Sequence, residues 1–202
     1  MIGTINILEY CKLHGAGLIL LSTSRIYSIQ ALSKIPIVAK RDRFQLATTK
    51  SLPQGLSPAG IDETFSTAPP VSLYGSTTLA SETLALEYGD ALSFPVWINR
   101  CGVLAGAGQF GRADQGIFSF WINSWLRRRP IKYIGFGGKG HQVRDCLHPR
   151  DLVPLFQKQM AAGMTESPRV FNIGGGIDNA ISLAELSNWC HDRLGPHEVT
   201  TE

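Results

Sequence analysis

The segment Ser72-Leu73-Tyr74-Gly75-Ser76-Thr77-Thr78-Leu79-Ala80-Ser81-Glu82 raises the question of proton transfer through Tyr74 and the residue four places after it. A phenol titrates near 10 unaided. It serves as a base at neutral pH only when a cation one helical turn away lowers that value. Position 78 is a threonine and has no charge to contribute. A second candidate is Thr23, in Leu21-Ser22-Thr23-Ser24-Arg25-Ile26-Tyr27. A Ser/Thr cluster at a strand end either bonds a substrate oxygen or caps the turn that follows. A third is Arg144, whose planar guanidinium is the best fork for phosphate oxygens; the alternative is a salt bridge to Asp145 or Asp151.

Glycines invite a phosphate-binding reading that their surroundings reject. Gly135, Gly137 and Gly140 fit G-x-G-x-x-G, but the next segment is a strand and offers no helix N-terminus to a pyrophosphate. Gly106, Gly108 and Gly111 fit it between a strand and a helix, yet no Asp or Glu occurs between Asp114 and Asp145 to hold a ribose. The second set reads as a glycine-rich site loop. Cys11, Cys101, Cys146 and Cys190 form no Cys-x-x-Cys pair, and the histidines form no His-x-x-x-His pair, so neither a metal nor a disulfide framework is expected.

The elements that must position these residues alternate helix and strand. Residues 4–14 read as a helix with Ile5, Leu8 and Cys11 on one face. Leu18 to Ser24 is a short apolar run, as a strand buried on both faces of a parallel sheet would be. From 28 to 70 prolines and small polar residues predict a long excursion, with one short strand at Phe44 to Thr48. A strong helix is predicted over 74–88, capped by Gly89, then a strand over 94–100 and an aromatic helix over 115–129. Strands at 131–136 and 142–147, a helix at 151–160, a strand at 170–173 and a helix at 182–194 follow. The last opens on Ser182-Leu183-Ala184-Glu185, a capping box. This is an α/β order.

Apolar content of 44% and charged content of 17% suit a globular protein. No apolar run approaches about 18 residues and no secretory signal opens the chain, so a cytoplasmic protein with no membrane span is expected. Residues 100–150 carry nine basic and two acidic groups, including Arg127-Arg128-Arg129. No basic stripe interleaved with aromatics accompanies them, and the triplet falls at a helix end where cations offset the dipole, so nucleic acid is not the expected partner.

The Tyr74 helix resembles the active-site helix of the extended short-chain dehydrogenase/reductase family, the NAD-dependent sugar-nucleotide epimerases and dehydratases, which carries Tyr-x-x-x-Lys. The Thr23 segment is similar to that family's strand end. Gly108-Gln109-Phe110 with Asp114-Gln115-Gly116, the run from Gly137 to His148, and Phe171-Asn172-Ile173-Gly174-Gly175-Gly176 resemble the branch of the family that holds CDP-paratose (CDP-tyvelose) 2-epimerases. The resemblance implies a partial Rossmann-type, doubly wound parallel sheet lacking its first βαβαβ half, plus a small mixed C-terminal substrate lobe. Residues 1–105 would be the remaining half of the NAD-binding domain. Residues 106–202 would be mainly the lobe, with a sheet strand returning near 170–173. It implies roles for Tyr74 and Thr23 in catalysis, with the family's lysine position occupied by Thr78. Arg144, Gln109 and Gln115 would bind substrate, and Tyr74 and Ser22 would touch NAD. The implied ligand is a nucleotide-diphospho-sugar, oxidised to a keto-sugar and re-reduced.

The resemblance further implies that about 90–100 residues are absent ahead of Met1, at 30 or more per βαβ unit. The chain is then expected to be a fragment, inactive alone even after Thr78→Lys. The alternative is a non-catalytic pseudoenzyme that binds sugar nucleotide, or pairs through helix 74–88 with itself or a full-length relative.

Overall fold

The computed structural model describes residues 1–47, 51–164 and 169–201. It is an α/β protein that divides into two compact units, each taken by itself below. In chain order the elements are α1 (Ile2–His14), β1 (Leu18–Thr23), α2 (Ile29–Ser33), β2 (Ile37–Lys40), β3 (Arg43–Leu46), β4 (Leu56–Ser57) and β5 (Gly60–Ile61). Next come α3 (Ser72–Leu92), β6 (Val96–Cys101), β7 (Val103–Leu104), α4 (Ile117–Leu126), β8 (Ile131–Tyr133) and β9 (Val143–Leu147). The chain closes with α5 (Val153–Ala162), β10 (Val170–Ile173), β11 (Ala180–Ser182), α6 (Leu183–Leu194) and β12 (Val199–Thr201).

The first unit comprises Met1–Ile35, Leu52–Gly102 and Arg150–Ile173. Its centre is a parallel sheet in the order β1-β6-β10. Successive residues of β6 face opposite sides of a strand. Val96 and Ile98 pack with Leu8 and Cys11 of α1 and Ala85 of α3. Asn99, on the other side, exchanges two 2.9 Å amide hydrogen bonds with Gln159 of α5. Helices therefore cover both faces, as in a doubly wound sheet. Each fully buried aliphatic side chain in this core, such as Leu8 or Ile98, contributes about 2 kcal/mol.

Three expectations for this unit need correction. β1 is not buried on both faces: among the described residues it pairs with β6 alone, at a sheet edge, and Leu21 is 51% exposed. Gly89 does not cap the Tyr74 helix, which runs on to Leu92 and ends at Ser93 in the left-handed conformation. Gly89 is instead buried inside the helix, where a Cβ would lie 2.6 Å from Val96 Cγ2. Its small size serves helix–strand packing. The excursion from 28 to 70 also holds more structure than its prolines suggest: α2, β4 and β5 in this unit, and the β2–β3 hairpin in the second. All are too short to show periodicity. The expected strand at 44–48 is β3, while Thr48 lies outside the described residues.

The second unit comprises Pro36–Ser51, Val103–Pro149 and Gly174–Glu202. It holds a mixed sheet, β11-β9-β7, and a parallel pair, β12-β8. β7, β11 and β12 are strands of two or three residues that the sequence pattern does not reveal. Phe118, Trp121 and Trp125 of α4 form the core with Leu186 and Cys190 of α6. The capping box is present: Glu185 N–H donates to Ser182 Oγ at 3.0 Å, and Ser182 N–H to Glu185 Oε2 at 2.8 Å. The aromatic helix is shorter than expected, Ile117–Leu126, and a 3₁₀ turn, Pro149–Leu152, takes the first residues of the helix expected at 151.

Candidate active site

β1 delivers Ser22 and Thr23 to the carboxyl end of the first unit's sheet, the end where open α/β sheets bind ligands. Alternation along the strand sends the two side chains opposite ways. Thr23 caps the 3₁₀ turn Ser24–Ile26, its hydroxyl accepting from Arg25 N–H at 3.3 Å. Ser22 is buried and its hydroxyl donates to the carboxylate of Glu82.

α3 opens at Ser72, whose hydroxyl accepts from Gly75 N–H at 3.1 Å. Tyr74 lies in this first turn and is 58% exposed. A Cβ on Gly75 would lie 2.3 Å from the carbonyl oxygen of Arg25. Only glycine lets the two backbones approach so closely. The turn after Thr23 and the turn bearing Tyr74 are thus in direct contact. Thr78 points its hydroxyl into its own helix, donating to the Tyr74 carbonyl at 2.9 Å, and Thr77 does the same at 3.0 Å. These are the back-bonds that hydroxyl side chains make within helices.

Beneath these residues is a buried polar network. Arg100 on β6 donates to Glu82 through Nε, at 3.3 and 3.2 Å, and through Nη2, at 2.9 Å. Its Nη1 reaches the Tyr27 hydroxyl at 3.4 Å and the Glu63 carbonyl at 3.3 Å. The Tyr27 hydroxyl donates to Asn172 Oδ1 on β10 at 2.6 Å. Asn172 in turn donates its side-chain amide to the Ile61 carbonyl at 2.9 Å and its backbone N–H to the Glu63 carboxylate. Burial pushes the Tyr27 phenol up, against the opposing pull of Arg100 and Asn172. Burial also works against the Arg100 charge, but bonding to Glu82 and Tyr27 outweighs it and raises the guanidinium further. The network joins β1, α3, β6, β10 and the 61–63 segment, so it fixes where β1 ends relative to α3.

In the second unit, Gln109 donates to the Leu104 carbonyl at 2.9 Å and accepts from the Ser119 hydroxyl at 2.9 Å, so both ends of its amide are engaged. Gln115 forms a tight backbone bridge with Arg112. Arg144 lies on β9, exposed, with Nη1 donating to the Val143 carbonyl at 2.9 Å. Among the described residues no group of three or more His, Cys, Asp or Glu is placed to hold a metal ion. No described helix is long and apolar enough to cross a membrane.

The NAD dependent epimerase/dehydratase family matches this chain over residues 1–174. The chain belongs to that family. CDP-paratose 2-epimerase of Salmonella typhi is 27% identical to it over 199 residues, which cover 94% of this chain and 54% of that protein. Two solved epimerase/dehydratase structures show the same fold. The dTDP-glucose 4,6-dehydratase of Bacillus anthracis in complex with NAD has a TM-score of 0.68 at 23% identity, over 100% of this chain and 55% of that one. The UDP-glucuronic acid 4-epimerase of Bacillus cereus in complex with UDP-glucuronic acid and NAD has a TM-score of 0.63 at 22% identity, over 98% of this chain and 53% of that one. The chain thus spans about half the length of the relatives it matches.

Two further candidates, Glu82 and Arg100, belong to no sequence motif. Each is a charged residue in an apolar stretch, one on the buried stripe of α3 and one inside the strand Val96-Trp97-Ile98-Asn99-Arg100-Cys101. Buried charges must be paired. That rule was the available signal.

Proposed function

We propose that this chain is an epimerase-like protein whose ligand is a nucleotide-diphospho-sugar, and that it does not turn the sugar over by itself. Thr23 and Tyr74 would address the sugar hydroxyl, with Arg144 on the diphosphate and Gln109 and Gln115 along the sugar. The observation that carries the inactive reading is the Thr78 hydroxyl bonded back to the Tyr74 carbonyl. The helix thus offers Tyr74 no cation one turn on.

NAD is the cofactor expected from the family, but the residues described here do not supply its cradle. Ser22, expected with Tyr74 to touch it, spends its hydroxyl on Glu82. The glycines at 135–140 join two strands, and those at 106–111 precede a helix that begins only at Ile117. No step through NAD is therefore assigned to these side chains.

Binding without turnover is the role these features favour, in a cytoplasmic protein that pairs through α3 with a second copy or a longer relative. The test incubates the purified chain with NAD+ and either CDP-glucose or UDP-glucose, and follows the sugar by proton NMR. The substrate is expected to remain unchanged while its resonances broaden on binding. Epimerised sugar above the protein-free control would overturn the inactive reading, and unperturbed resonances with both sugars would overturn the ligand class.

A further inference from the structure

Guanidinium groups in this protein are mostly spent on internal partners. Arg43 bonds the Ala180 carbonyl and Glu185, Arg100 bonds Glu82, Arg128 bonds the Leu194 and Pro196 carbonyls, and Arg169 bonds Asp90. Arg25 differs. Its side chain is exposed and has no hydrogen bond or ion pair among the described residues.

Its backbone, by contrast, is fixed on both sides. The N–H donates to the Thr23 hydroxyl at 3.3 Å, and the carbonyl lies against the Cα of Gly75, the residue after Tyr74. Arg25 is therefore the residue through which the Thr23 turn and the Tyr74 turn meet, two positions beyond the carboxyl end of β1. A cation anchored there costs the fold nothing to keep unpaired, since it remains in water. When a ligand arrives with an anionic oxygen, the fork can give two parallel charge-assisted hydrogen bonds.

We propose that Arg25 is an oxyanion-binding residue of the ligand site beside Thr23 and Tyr74, taking a phosphate or carboxylate oxygen of a nucleotide sugar. This rests on the nucleotide-sugar reading above, and the experiment separates the two. Affinities of UDP-glucose and UDP-glucuronate, which share a diphosphate and differ by a carboxylate, are measured by calorimetry for the unaltered chain and for Arg25→Gln, Arg25→Lys and Arg144→Gln. Melting temperatures are recorded alongside.

Arg25→Gln should weaken binding roughly ten-fold or more, the worth of a charge-assisted hydrogen bond, with no change in melting temperature. Arg25→Lys should recover part of the loss, because charge returns without the fork. A purely structural arginine would show neither the rescue nor the loss of salt dependence expected of the glutamine variant. Weakening of UDP-glucuronate alone identifies the carboxylate as the oxyanion; equal weakening of both sugars identifies the diphosphate. If Arg25→Gln binds both as tightly as the unaltered chain while Arg144→Gln does not, the assignment to Arg25 is wrong and the nucleotide-sugar reading stands. If the unaltered chain binds neither, both fall.

Discussion

Replacing the Glu82–Arg100 pair by methionines, singly and together, measures how firmly the network holds the end of β1 against α3. The side chains are 3% and 10% exposed. Glu82→Met leaves the guanidinium with only the Tyr27 hydroxyl and the Glu63 carbonyl as acceptors. Arg100→Met leaves the carboxylate with only the Ser22 hydroxyl as donor. Either uncompensated buried charge costs about 3–5 kcal/mol, a large share of a domain's typical stability of about 5–15 kcal/mol. In the double variant both desolvation penalties vanish. What remains unpaired is Ser22, Tyr27 toward Arg100 and the Glu63 carbonyl, at about 1 kcal/mol each. The double variant should therefore cost about 2–3 kcal/mol, well below the sum of the single losses, with a coupling of at least about 3 kcal/mol. Native-state hydrogen exchange over peptides 18–23 and 96–101 reads this in the first unit alone. A single variant that fails to fold while the double variant folds supports the same conclusion. Additive losses, with coupling under about 0.5 kcal/mol, would mean that the charges do not depend on one another and that the network is not what fixes β1.

Two further outcomes follow from local geometry. Gly75→Ala places a Cβ against backbone that cannot yield cheaply, and overpacking of this kind costs about 1–3 kcal/mol. Urea unfolding should show that loss, whereas unchanged stability would mean that the Thr23 and Tyr74 turns do not touch. Tyr133 supplies a pH dependence. Burial pushes its phenol up, the hydrogen bond to Ser187 pulls the other way, and Asp42 adds to the rise. The folded state therefore favours the neutral phenol. Its contribution is complete below about pH 10, the unfolded value, and is lost as pH rises through the higher folded value. Tyr133→Phe should flatten the alkaline limb of the stability curve, and an unaltered limb would refute the burial argument.

The α/β order, the long helices and the parallel strands 18–23, 96–101 and 170–173 were legible because each is long or apolar enough to show its period. The capping box at Ser182 was legible because it depends on two residues three apart. In the hairpin 37–46 the second strand was expected, at 44–48, but the first and the pairing were not. β2 is exposed along its whole length and carries no alternation. Its partner Phe44 is placed by residues nearly a hundred positions away, through its N–H to the His141 carbonyl and ring contacts with Phe136 and His141. No local pattern records such contacts.

The candidate residues Thr23, Tyr74 and Thr78 were reached through a family resemblance, and how they are wired was not legible in the sequence. Thr78 lacks a charge on inspection of the sequence alone; that its hydroxyl turns back on the Tyr74 carbonyl needs the helix. Glu82 and Arg100 sit 18 residues apart on a helix and the next strand, a spacing that fixes nothing by itself. Their pairing follows from the sheet order, which places β6 beside β1 and under α3. Only then does one carboxylate meet both Ser22 and Arg100. Arg25 likewise is singled out only by where the fold puts its backbone. By sequence it is one basic residue among 19. By structure its backbone is held between Thr23 and Gly75 while its side chain is exposed.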